Sequence, residues 1–317
     1  MTALKIPVIV IAGATASGKT ALSVELAKKY GGEIVSADSM QIYKDMNIGT
    51  AKPTEEEKCG IPHHLMDFVN PKDEYSVADY VSDAHKCIAD IVSRGKVPIV
   101  TGGTGLYINS LINDVDFEEE TGGETVRAEL KRIYEKDGAD KLYLMLKEID
   151  PESEIPKENV RRVIRAIEFY KIRGITMTEQ ARLSKLKESR YNPLIMAVSW
   201  DRQKLYERID KRVDIMMEQG LLDEVYSFYK KGFTKKMQSM KGIGYKQLLD
   251  YFRGLSALDE AVNLIKRDSR RYAKRQLTWF KKDTRIHLID AKSDILKQAE
   301  ALSEIFLSEN EQFFRKM

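Results

Sequence analysis

The sequence predicts an α/β protein in which a parallel sheet, flanked by helices, is interrupted by an all-helical insertion domain. Short continuous apolar runs alternate with helical patterns in the first third of the chain, as expected of strands buried on both faces. Residues 125–189 show helical patterns only, and another apolar run follows them. Parallel strands joined through helices require right-handed crossover connections.

The elements of the first third follow from apolar periodicity and from turn residues. Ile6–Ala12 is a β-branched run that is typical of a buried strand. The elements predicted after it are a helix at 20–29, a strand at 33–37, a helix at 77–94 and a strand at 97–101. Gly31-Gly32 ends the first helix, and Gly102-Gly103 follows the last of these strands.

The remainder of the chain divides into a helical block and a return to the sheet. Acids and Gly122-Gly123 replace the apolar periodicity at 113–124. Helices are predicted at 126–136, 139–149, 159–173 and 178–187, a strand at 194–200, and helices alone from there to the C-terminus. We therefore assign residues 1–116 and 193–317 to the α/β core and residues 117–192 to the insertion domain.

Composition excludes several classes of protein. The 317 residues are 43% hydrophobic and 32% charged, which is ordinary for a globular chain, and the net charge of +3 does not by itself indicate nucleic-acid binding. Cys59 and Cys87 cannot form a disulfide scaffold, and no apolar run reaches the roughly 18 residues of a membrane span. Ile6–Ala12 followed by Ala14-Thr15-Ala16 imitates a secretory signal, but a phosphate-binding motif explains these residues better. We therefore expect a cytoplasmic protein without membrane association.

The motif is the pattern G-x-x-x-x-G-K-[ST], which lies between a predicted strand and a predicted helix. It is formed by Gly13, Ala14, Thr15, Ala16, Ser17, Gly18, Lys19 and Thr20. Such a P-loop directs N–H groups at phosphate oxygens, while the lysine adds a charge and the threonine hydroxyl can hold Mg²⁺. Only about 0.01 matches arise by chance in a chain of this length. The sheet is therefore expected to be P-loop NTPase-like and to bind a diphosphate or a triphosphate, but the reaction stays open.

Two polar residues are predicted to share the rim of the sheet with the P-loop. Nucleotide hydrolases hold their Mg²⁺ with an additional Asp at the end of a second core strand. The strand at 97–101 instead leads to Thr104 without an acid, and Asp38 is the only acid just past a core strand. Asp38 can be a simple turn former. Because ligands of open α/β sheets bind beyond the carboxyl ends of the strands, we expect Asp38, Thr104 and the P-loop to form one site.

Basic residues cluster in three places. Residues 266–285 contain nine Lys or Arg and two Asp, a local net charge of +7, together with Tyr272, Trp279 and Phe280. The second cluster is 161–165 in the insertion, and the third comprises 235–236 and 241–246. A solvated helix face is the alternative interpretation, but such faces usually mix both signs. Three separate clusters favour an extended polyanion, such as a nucleic acid, over a small metabolite.

Two further groups of residues leave alternatives open. His63-His64 lies near Cys59, but the spacing of these residues matches no zinc pattern. Arg208 and Arg212 are four residues apart on one face of the helix after the last predicted strand, so either could reach a phosphate. Salt bridges with the neighbouring acids of the same helix are the competing interpretation for these arginines.

Seven segments, taken in order, resemble the tRNA dimethylallyltransferase family over nearly the whole chain. They are ATASGKT (14–20), SADSMQIYKDMNIGTAKP (36–53), IPHHLMD (61–67), TGGTGLY (101–107), RIDKRVDIMMEQGLLDEV (208–225), KGIGYKQ (241–247) and YAKRQLTWFKK (272–282). The chain departs from the family at Ala14, where other members more often carry Pro. The phosphate-binding backbone does not need that ring.

The resemblance implies transfer of the dimethylallyl group from dimethylallyl diphosphate to N6 of adenine 37, beside the anticodon, in tRNAs that read codons beginning with U. The P-loop would then hold the diphosphate leaving group, with Mg²⁺ on Thr20 as cofactor and Arg208 or Arg212 completing the site. Asp38 would accept the N6 proton, Lys19 and Thr104 would stabilise the leaving group, and the flipped base would be read next to Asp38. We also expect a monomer whose insertion moves when tRNA binds.

The expected contacts with tRNA combine the base-reading segment with the basic clusters. They are Asp38, Ser39, Met40, Gln41, Thr104, Arg127, Arg161, Arg162, Val163, Ile164, Arg165, Lys241, Gly242, Ile243, Gly244, Tyr245, Lys246, Lys274, Arg275, Gln276, Leu277, Thr278, Trp279, Phe280 and Lys281. Three rival functions remain on the residues alone: a small-molecule kinase with the insertion as a lid, a prenyltransferase acting on free AMP or ATP, and an RNA-binding ATPase.

Overall fold

A six-stranded parallel sheet organises most of the chain. Its strands are β1 (Ile6–Ala12), β2 (Gly32–Ser36), β3 (His63–His64), β4 (Val97–Gly102), β5 (Tyr191–Ser199) and β6 (Ile286–Asp290), in the order β3-β2-β4-β1-β5-β6. Ala12 of the central strand pairs with Gly102 on one side and with Ala197 on the other. The ends of β1 and β4 therefore lie level at the edge where the P-loop begins, and β5 continues two residues further, to Ser199.

The computed structural model describes residues 4–115, 117 and 123–315, the side chains of residues 185 and 186 excepted. Its helices are α1 (Lys19–Tyr30), α2 (Glu55–Lys58), α3 (Val77–Ser93), α4 (Gly105–Ile112), α5 (Gly123–Ile149), α6 (Val160–Arg173), α7 (Met177–Leu186), α8 (Arg202–Glu218), α9 (Leu221–Lys230), α10 (Tyr245–Phe252), α11 (Leu258–Phe280), α12 (Ile295–Glu309) and α13 (Glu311–Arg315). A short 3₁₀ helix covers Ser239–Lys241. No described helix is long and apolar enough to cross a membrane.

Helices cover both faces of the sheet. Successive residues of a strand point to opposite faces, so a strand with apolar residues at every position needs cover on both. Val8 and Val10 of β1 belong to one hydrophobic core, whereas Ile9 and Ile11 belong to the other. All four side chains are 0–1% exposed. This double burial explains the continuous apolar run that predicts the strand.

The chain divides into two compact units, Met1–Ile112 with Arg190–Met317, and Asn113–Ser189. The smaller unit begins at residue 113 rather than at 117 and ends at 189 rather than at 192. It has its own core, which includes Leu130, Leu142 and Ile167. Its first two predicted helices are confirmed as the two halves of α5, which are separated at Gly138, where φ is 80° and the backbone is not helical. Glycine adopts this backbone conformation readily because it lacks a Cβ atom.

The expectation of helices alone after β5 was wrong, because β6 returns to the sheet beyond α11. Only Ile289 of this strand is buried, and charged residues precede it, so its apolar pattern is weak. The two-residue strand β3 was also not predicted. The other elements predicted for the described residues are confirmed, with ends that differ by a few residues.

Candidate active site

The P-loop connects the buried end of β1 to the first turn of α1. Gly18 precedes α1 with a φ of 94°, a left-handed conformation that suits glycine, and contributes no side-chain cap. The first N–H groups of a helix have no partner within the helix, and they lie at the positive end of its dipole. The start of α1 is therefore available for an anion.

Trp200, in the connection after β5, and Arg208 of α8 hold the carbonyl groups of the P-loop. Trp200 Nε1 donates to the Ser17 carbonyl oxygen at 2.9 Å, and Arg208 Nε donates to the Ala16 carbonyl oxygen at 2.9 Å. The Arg208 guanidinium also stacks on the Trp200 ring, 4.3 Å from its centroid. Arg208 is thus a structural brace of the loop. The sequence analysis missed Trp200, although its position directly after a core strand was an available signal.

Gln276 of α11 holds the P-loop from a third direction. Its Oε1 accepts the Thr15 N–H at 3.0 Å, and its Nε2 donates to the Gly103 carbonyl oxygen at 2.8 Å. A Cβ atom at position 103 would lie 2.2 Å from Gln276 Nε2, so any larger residue there would displace the Gln276 side chain. The Thr15 N–H is therefore already bonded, and the predicted phosphate contacts fall to the later N–H groups of the loop. Gln276 was expected to contact tRNA, but its side chain is buried.

A cavity of about 450 Å³ opens beside the P-loop, and its lining combines charged, polar and apolar side chains. Lys19, Asp38 and Arg212 interact electrostatically and, with Thr20, form the group that we call the charged end. The apolar lining residues, which we call the apolar end, are Met40, Ile209, Val213, Met216, Leu221, Ile243, Tyr245 and Ile265, and further polar groups such as Ser39, Thr50, Lys241, Asp268 and Ser269 line the cavity as well. All described lining residues belong to the larger unit. Arg208 is not among them, so the structure favours Arg212 as the arginine of the anion site.

Two cations meet at the charged end. Burial, together with the positive charge of Arg212, lowers the pKa of Lys19 to about 8, although Asp38 acts in the opposite direction. Burial also lowers the pKa of Arg212, which Asp38 again opposes. Lys19 Nζ donates to the Ala14 carbonyl oxygen at 3.1 Å. Positive charges that are held this close to each other favour a bound polyanion.

Asp38 both forms a turn and lines the cavity. Its Oδ1 accepts the Met40 N–H at 2.9 Å and the Gln41 N–H at 3.4 Å, which fixes the orientation of the side chain. Within the described part of the chain, no hydrogen bond to Oδ2 is found. The turn role is therefore present, and it leaves one oxygen for chemistry.

Thr104 supports this turn instead of lining the cavity. Its Oγ1 accepts the Ser39 N–H at 3.0 Å and lies 3.3 Å from Ser39 Oγ. Tyr272 of α11 lies near both Thr104 and Asp38, and burial, with the charge of Asp38, raises the pKa of Tyr272 to about 12. Thr104 therefore positions Ser39, and its donation to the leaving oxygen stays a prediction.

The base-reading segment is only partly directed into the cavity. Ser39 and Met40 line it, whereas Gln41 does not. Gln41 Nε2 instead donates to the carbonyl oxygens of Thr50 and Ala51 at 3.2 and 3.0 Å. Gln41 therefore fixes a wall of the cavity, since Thr50 and Ala51 are lining residues.

Glu224 holds the same wall of the cavity by accepting hydrogen bonds from backbone N–H groups of that wall. Its carboxylate accepts the N–H groups of Asn47, Ile48 and Gly49 at 2.8–3.1 Å, and it also accepts the Tyr245 hydroxyl. Gly49 packs directly on the Tyr245 ring, because a Cβ atom there would lie 2.5 Å from it. No local sequence signal marks Glu224, because its partners are far away in the chain.

The basic residues of α11 fall into two groups. Lys266 pairs with Asp214 at 2.6 Å and Arg270 pairs with Asp210, so these cations belong to an ordinary mixed surface. Lys274 and Arg275 are exposed and have no ion-pair partner within residues 4–115, 117 and 123–315. They line a second cavity of about 890 Å³, together with Asn109, Arg271, Thr278, Trp279, Lys282, Asp283, Thr284 and Arg285. Lys281 and Trp279 are exposed, and Leu277 is half-buried.

The third basic cluster lines the first cavity. All of its residues from 241 to 246 take part: Lys241, Gly242, Ile243, Gly244, Tyr245 and Lys246. Lys246 lies 3.6 Å from Asp268, and Tyr245 is fully buried. This segment therefore shapes the cavity more than it presents an exposed basic surface.

Arginines of the smaller unit are divided in the same way. Arg127 pairs with the buried Glu168 at 2.8 Å, and Arg165 lies 3.4 Å from the same carboxylate. A buried acid needs such partners, so both arginines stabilise this unit. Arg161 and Arg162 are exposed and remain candidate RNA contacts.

Three predicted tRNA contacts are corrected by burial. Val163 and Ile164 lie in the core of the smaller unit, and Phe280 lies in a core of the larger one. Their side chains offer no surface to RNA. They entered the prediction because they stand between basic or exposed neighbours in the sequence.

The charged end of the cavity has the donors that Mg²⁺ prefers. No group of three or more His, Cys, Asp or Glu suited to a metal ion occurs among the described residues. Mg²⁺, however, is commonly held by one or two protein oxygens together with substrate phosphates. The Thr20 hydroxyl and the Asp38 carboxylate line the same end, so these residues fit a magnesium diphosphate. His64 instead bonds Glu33 at 2.7 Å.

Comparison with known proteins identifies the family. Residues 41–283 match the sequence model of the family described as IPP transferase, and residues 6–74 match the model described as isopentenyl transferase. The chain belongs to the IPP transferase family. The resemblance noted in the sequence is thereby confirmed.

Relatives of this IPP transferase are similar over nearly their full length. A tRNA dimethylallyltransferase of Acetivibrio thermocellus is 50% identical over 285 residues, which are 89% of this chain and 91% of the relative. The solved full-length tRNA isopentenylpyrophosphate transferase of Bacillus halodurans is 40% identical, with a TM-score of 0.74 and coverage of 98% and 99%. A eukaryotic dimethylallyltransferase, solved acting on tRNA, is 32% identical, with a TM-score of 0.82 and coverage of 96% and 80%. The predicted fold class is thus confirmed.

Proposed function

We propose that this enzyme transfers the dimethylallyl group of dimethylallyl diphosphate to N6 of adenine 37 in tRNAs that read UNN codons. The products are N6-(dimethylallyl)adenosine in the anticodon loop and free diphosphate. The observation that carries the proposal is the cavity beside the P-loop, whose lining combines cations that suit a diphosphate with aliphatic side chains that suit a short isoprenoid. Membership of the IPP transferase family supports the same reaction.

The aliphatic end argues against a nucleotide as the P-loop ligand. Val213, Met216 and Ile265 line the space next to Arg212 and Lys19. Against these three side chains the hydroxyl groups of a ribose would be buried without hydrogen-bond partners, which costs free energy. A branched hydrocarbon chain has no such requirement. The kinase and ATPase alternatives are therefore disfavoured.

The leaving group is stabilised by charges that are in place before the reaction. As the allylic carbon–oxygen bond breaks, positive charge spreads over the allyl group and negative charge collects on diphosphate. Lys19, Arg212 and the N–H groups at the start of α1 are directed at that negative charge. When Mg²⁺ is bound at Thr20, it supplies further neutralisation of the diphosphate oxygens.

Asp38 is the proposed proton acceptor for the attacking amine. The N6 lone pair of adenine is delocalised into the ring, so the amine becomes nucleophilic as it loses its proton. The turn at Met40 and Gln41 orients Asp38, and its Oδ2 is the oxygen for this step. A base stacked in the anticodon loop must first be flipped out to reach such a cavity. Ser39 and Met40 then contact the flipped base.

The tRNA backbone is proposed to bind along Lys274 and Arg275 of α11 and along Arg161 and Arg162 of the smaller unit. These are exposed cations, and contacts of this kind give affinity without sequence choice. An acceptor of this size distinguishes the enzyme from prenyltransferases that act on free AMP or ATP.

The decisive experiment follows a label. The enzyme is incubated with dimethylallyl diphosphate labelled in the allyl group, or with γ-labelled ATP, in the presence and absence of tRNA. We expect allyl label in tRNA as N6-(dimethylallyl)adenosine, and none in a tRNA whose position 37 is guanine. Transfer of γ-phosphate, RNA-stimulated release of phosphate or prenylation of free AMP would each establish a rival function instead.

A further inference from the structure

Helix α8 contributes to the site in successive turns. Arg208 holds the P-loop, Arg212 lines the charged end of the cavity, and Met216 lines the apolar end. These residues are four apart, so each step along the helix axis is about 6 Å, given a rise of about 1.5 Å per residue. The hydrogen bond from Arg208 to the P-loop fixes the position of α8 relative to the proposed diphosphate site.

We propose that α8 measures the prenyl chain and that Met216 is the residue that excludes chains longer than five carbons. This inference rests on the proposed function, because it concerns the same cavity. A dimethylallyl group extends three carbon–carbon bonds of about 1.5 Å from its reacting carbon, so it reaches at most about 4.5 Å. A geranyl group adds four such bonds and about 6 Å more. One turn of α8 accommodates the first chain and not the second.

Beyond Met216 the wall of the cavity is formed by buried core residues. Gly220 has a φ of 98° and separates α8 from α9, so the chain turns and Leu221 also lines the cavity. Leu221 and Tyr245 are both 0% exposed, and the Tyr245 hydroxyl bonds Glu224. These side chains belong to the packed core, so neighbouring side chains hold them on the side away from the cavity.

Met216 differs from these core residues because it is only half-buried. An unbranched methionine side chain fills irregular space and can be shortened with little effect on its neighbours. Among the apolar lining residues of α8, it is the one farthest along the helix from Arg212. Shortening Met216 should therefore lengthen the apolar end without changing the charged end.

The test compares dimethylallyl diphosphate with geranyl diphosphate, each with the same tRNA acceptor. In Met216→Ala we expect the ratio of kcat/KM for geranyl to kcat/KM for dimethylallyl transfer to rise at least about tenfold, since small changes of fit in an apolar pocket alter selectivity by about 10–200-fold. Met216→Val should give a smaller change in the same direction. Inhibition by inorganic diphosphate, which occupies only the charged end, should be unchanged.

Ile215→Ala is the matched control, because Ile215 is the neighbouring residue of α8, is 39% exposed and does not line the cavity. The ratio of kcat/KM for geranyl transfer to kcat/KM for dimethylallyl transfer in Ile215→Ala should equal that of the wild type. If both folded Met216 variants keep the wild-type ratio of kcat/KM values and normal inhibition by diphosphate, the proposal that Met216 limits the chain length is overturned. If the wild-type enzyme transfers no dimethylallyl group at all, the proposed function fails, and the comparison of chain lengths never arises.

Discussion

Gln276 Oε1 lies 3.0 Å from the Thr15 nitrogen, although the two residues are 261 positions apart in the chain. The same side chain donates to the Gly103 carbonyl oxygen. The outward side of the same helix carries Lys274 and Arg275, which we propose as tRNA contacts. In the proposed function, the helix that binds the RNA therefore also holds the loop that binds the diphosphate.

Removal of this support should weaken the diphosphate site. Gln276→Ala leaves the Thr15 N–H and the Gly103 carbonyl without their partner, and each buried unpaired group costs about 1–3 kcal/mol. We expect a lower free energy of unfolding, measured by urea denaturation, and a higher KM for dimethylallyl diphosphate. Gln276→Glu should be more harmful than its size suggests, because a carboxylate then faces the Gly103 carbonyl. Wild-type KM and stability in Gln276→Ala would refute the bracing role.

Asp38→Asn separates the turn from the chemistry. Asparagine retains an oxygen that can accept the Met40 N–H, but it cannot take the proton of the amine. Turnover should fall about 10²–10⁴-fold, measured as single-turnover transfer to tRNA, while the Kd for tRNA stays within about twofold. Asp45→Asn, on an exposed turn nearby, should leave turnover unchanged. Near-normal turnover of Asp38→Asn would remove Asp38 from the base role.

Diphosphate binding should weaken as pH rises through the pKa of Lys19. Below about pH 8 the ligand-free enzyme already has a protonated Lys19, and above it the enzyme must take up a proton when the anion binds. The contribution of Lys19 to the association constant then falls about tenfold between pH 7 and pH 9. Calorimetry in buffers of different ionisation enthalpy measures the uptake. Lys19→Arg, which stays charged, should lose this part of the pH dependence, and equal profiles for both proteins would contradict the assignment.

Substitution of Arg212 should impair substrate binding, whereas substitution of Arg208 should lower stability. Arg212→Gln removes a cation from the anion site and relieves its repulsion of Lys19, so the KM for dimethylallyl diphosphate should rise at least about tenfold without loss of stability. Arg208→Gln removes the bond to Ala16 and the stacking on Trp200, and the free energy of unfolding should fall by about 1–3 kcal/mol. Urea denaturation and steady-state kinetics on both variants decide the matter, and the reverse pattern would exchange the two roles.

The salt dependence of tRNA binding locates the RNA surface. Each backbone phosphate that is neutralised adds about 0.7–0.9 to the slope of log K against log salt. Neutralising Lys274 and Arg275 together, each replaced by Gln, should therefore reduce the slope by about 1.5. The matched control replaces Lys266 and Arg270, whose charges are paired with Asp214 and Asp210, and its slope should stay the same. A slope unchanged in the first pair would mean that the RNA lies elsewhere.

The parts of the fold that were predictable have a strong local pattern. The run Ile6–Ala12 is apolar at every position because β1 is covered on both faces, and Gly138 separates two periodic segments where α5 kinks. In β6 the pattern is lost, because this strand is largely exposed and buries only Ile289. Pairing with β5 gives β6 its strand conformation, and that pairing partner is almost one hundred residues away.

The residues of the candidate site also divide into those that a local sequence pattern identifies and those that only the tertiary structure reveals. The P-loop and Asp38 are recognisable because their residue types and spacing are required by local geometry. Arg208 and Arg212 were indistinguishable, since both lie on one helix face and only their tertiary neighbours differ. Met216 looks like an ordinary core position in the sequence, because the cavity that it lines is formed by several separate elements.

The order of the strands also bears on how concentrated solutions of this protein behave. The last strand at each side of a sheet exposes backbone groups on which another chain can assemble. At one side this strand is β3, which is only two residues long and offers little to a second molecule. At the other side is β6, where the side chain of Leu288 is 66% exposed. Unwanted aggregation should therefore begin at β6, and a lysine in place of Leu288 is the first change to make for solubility.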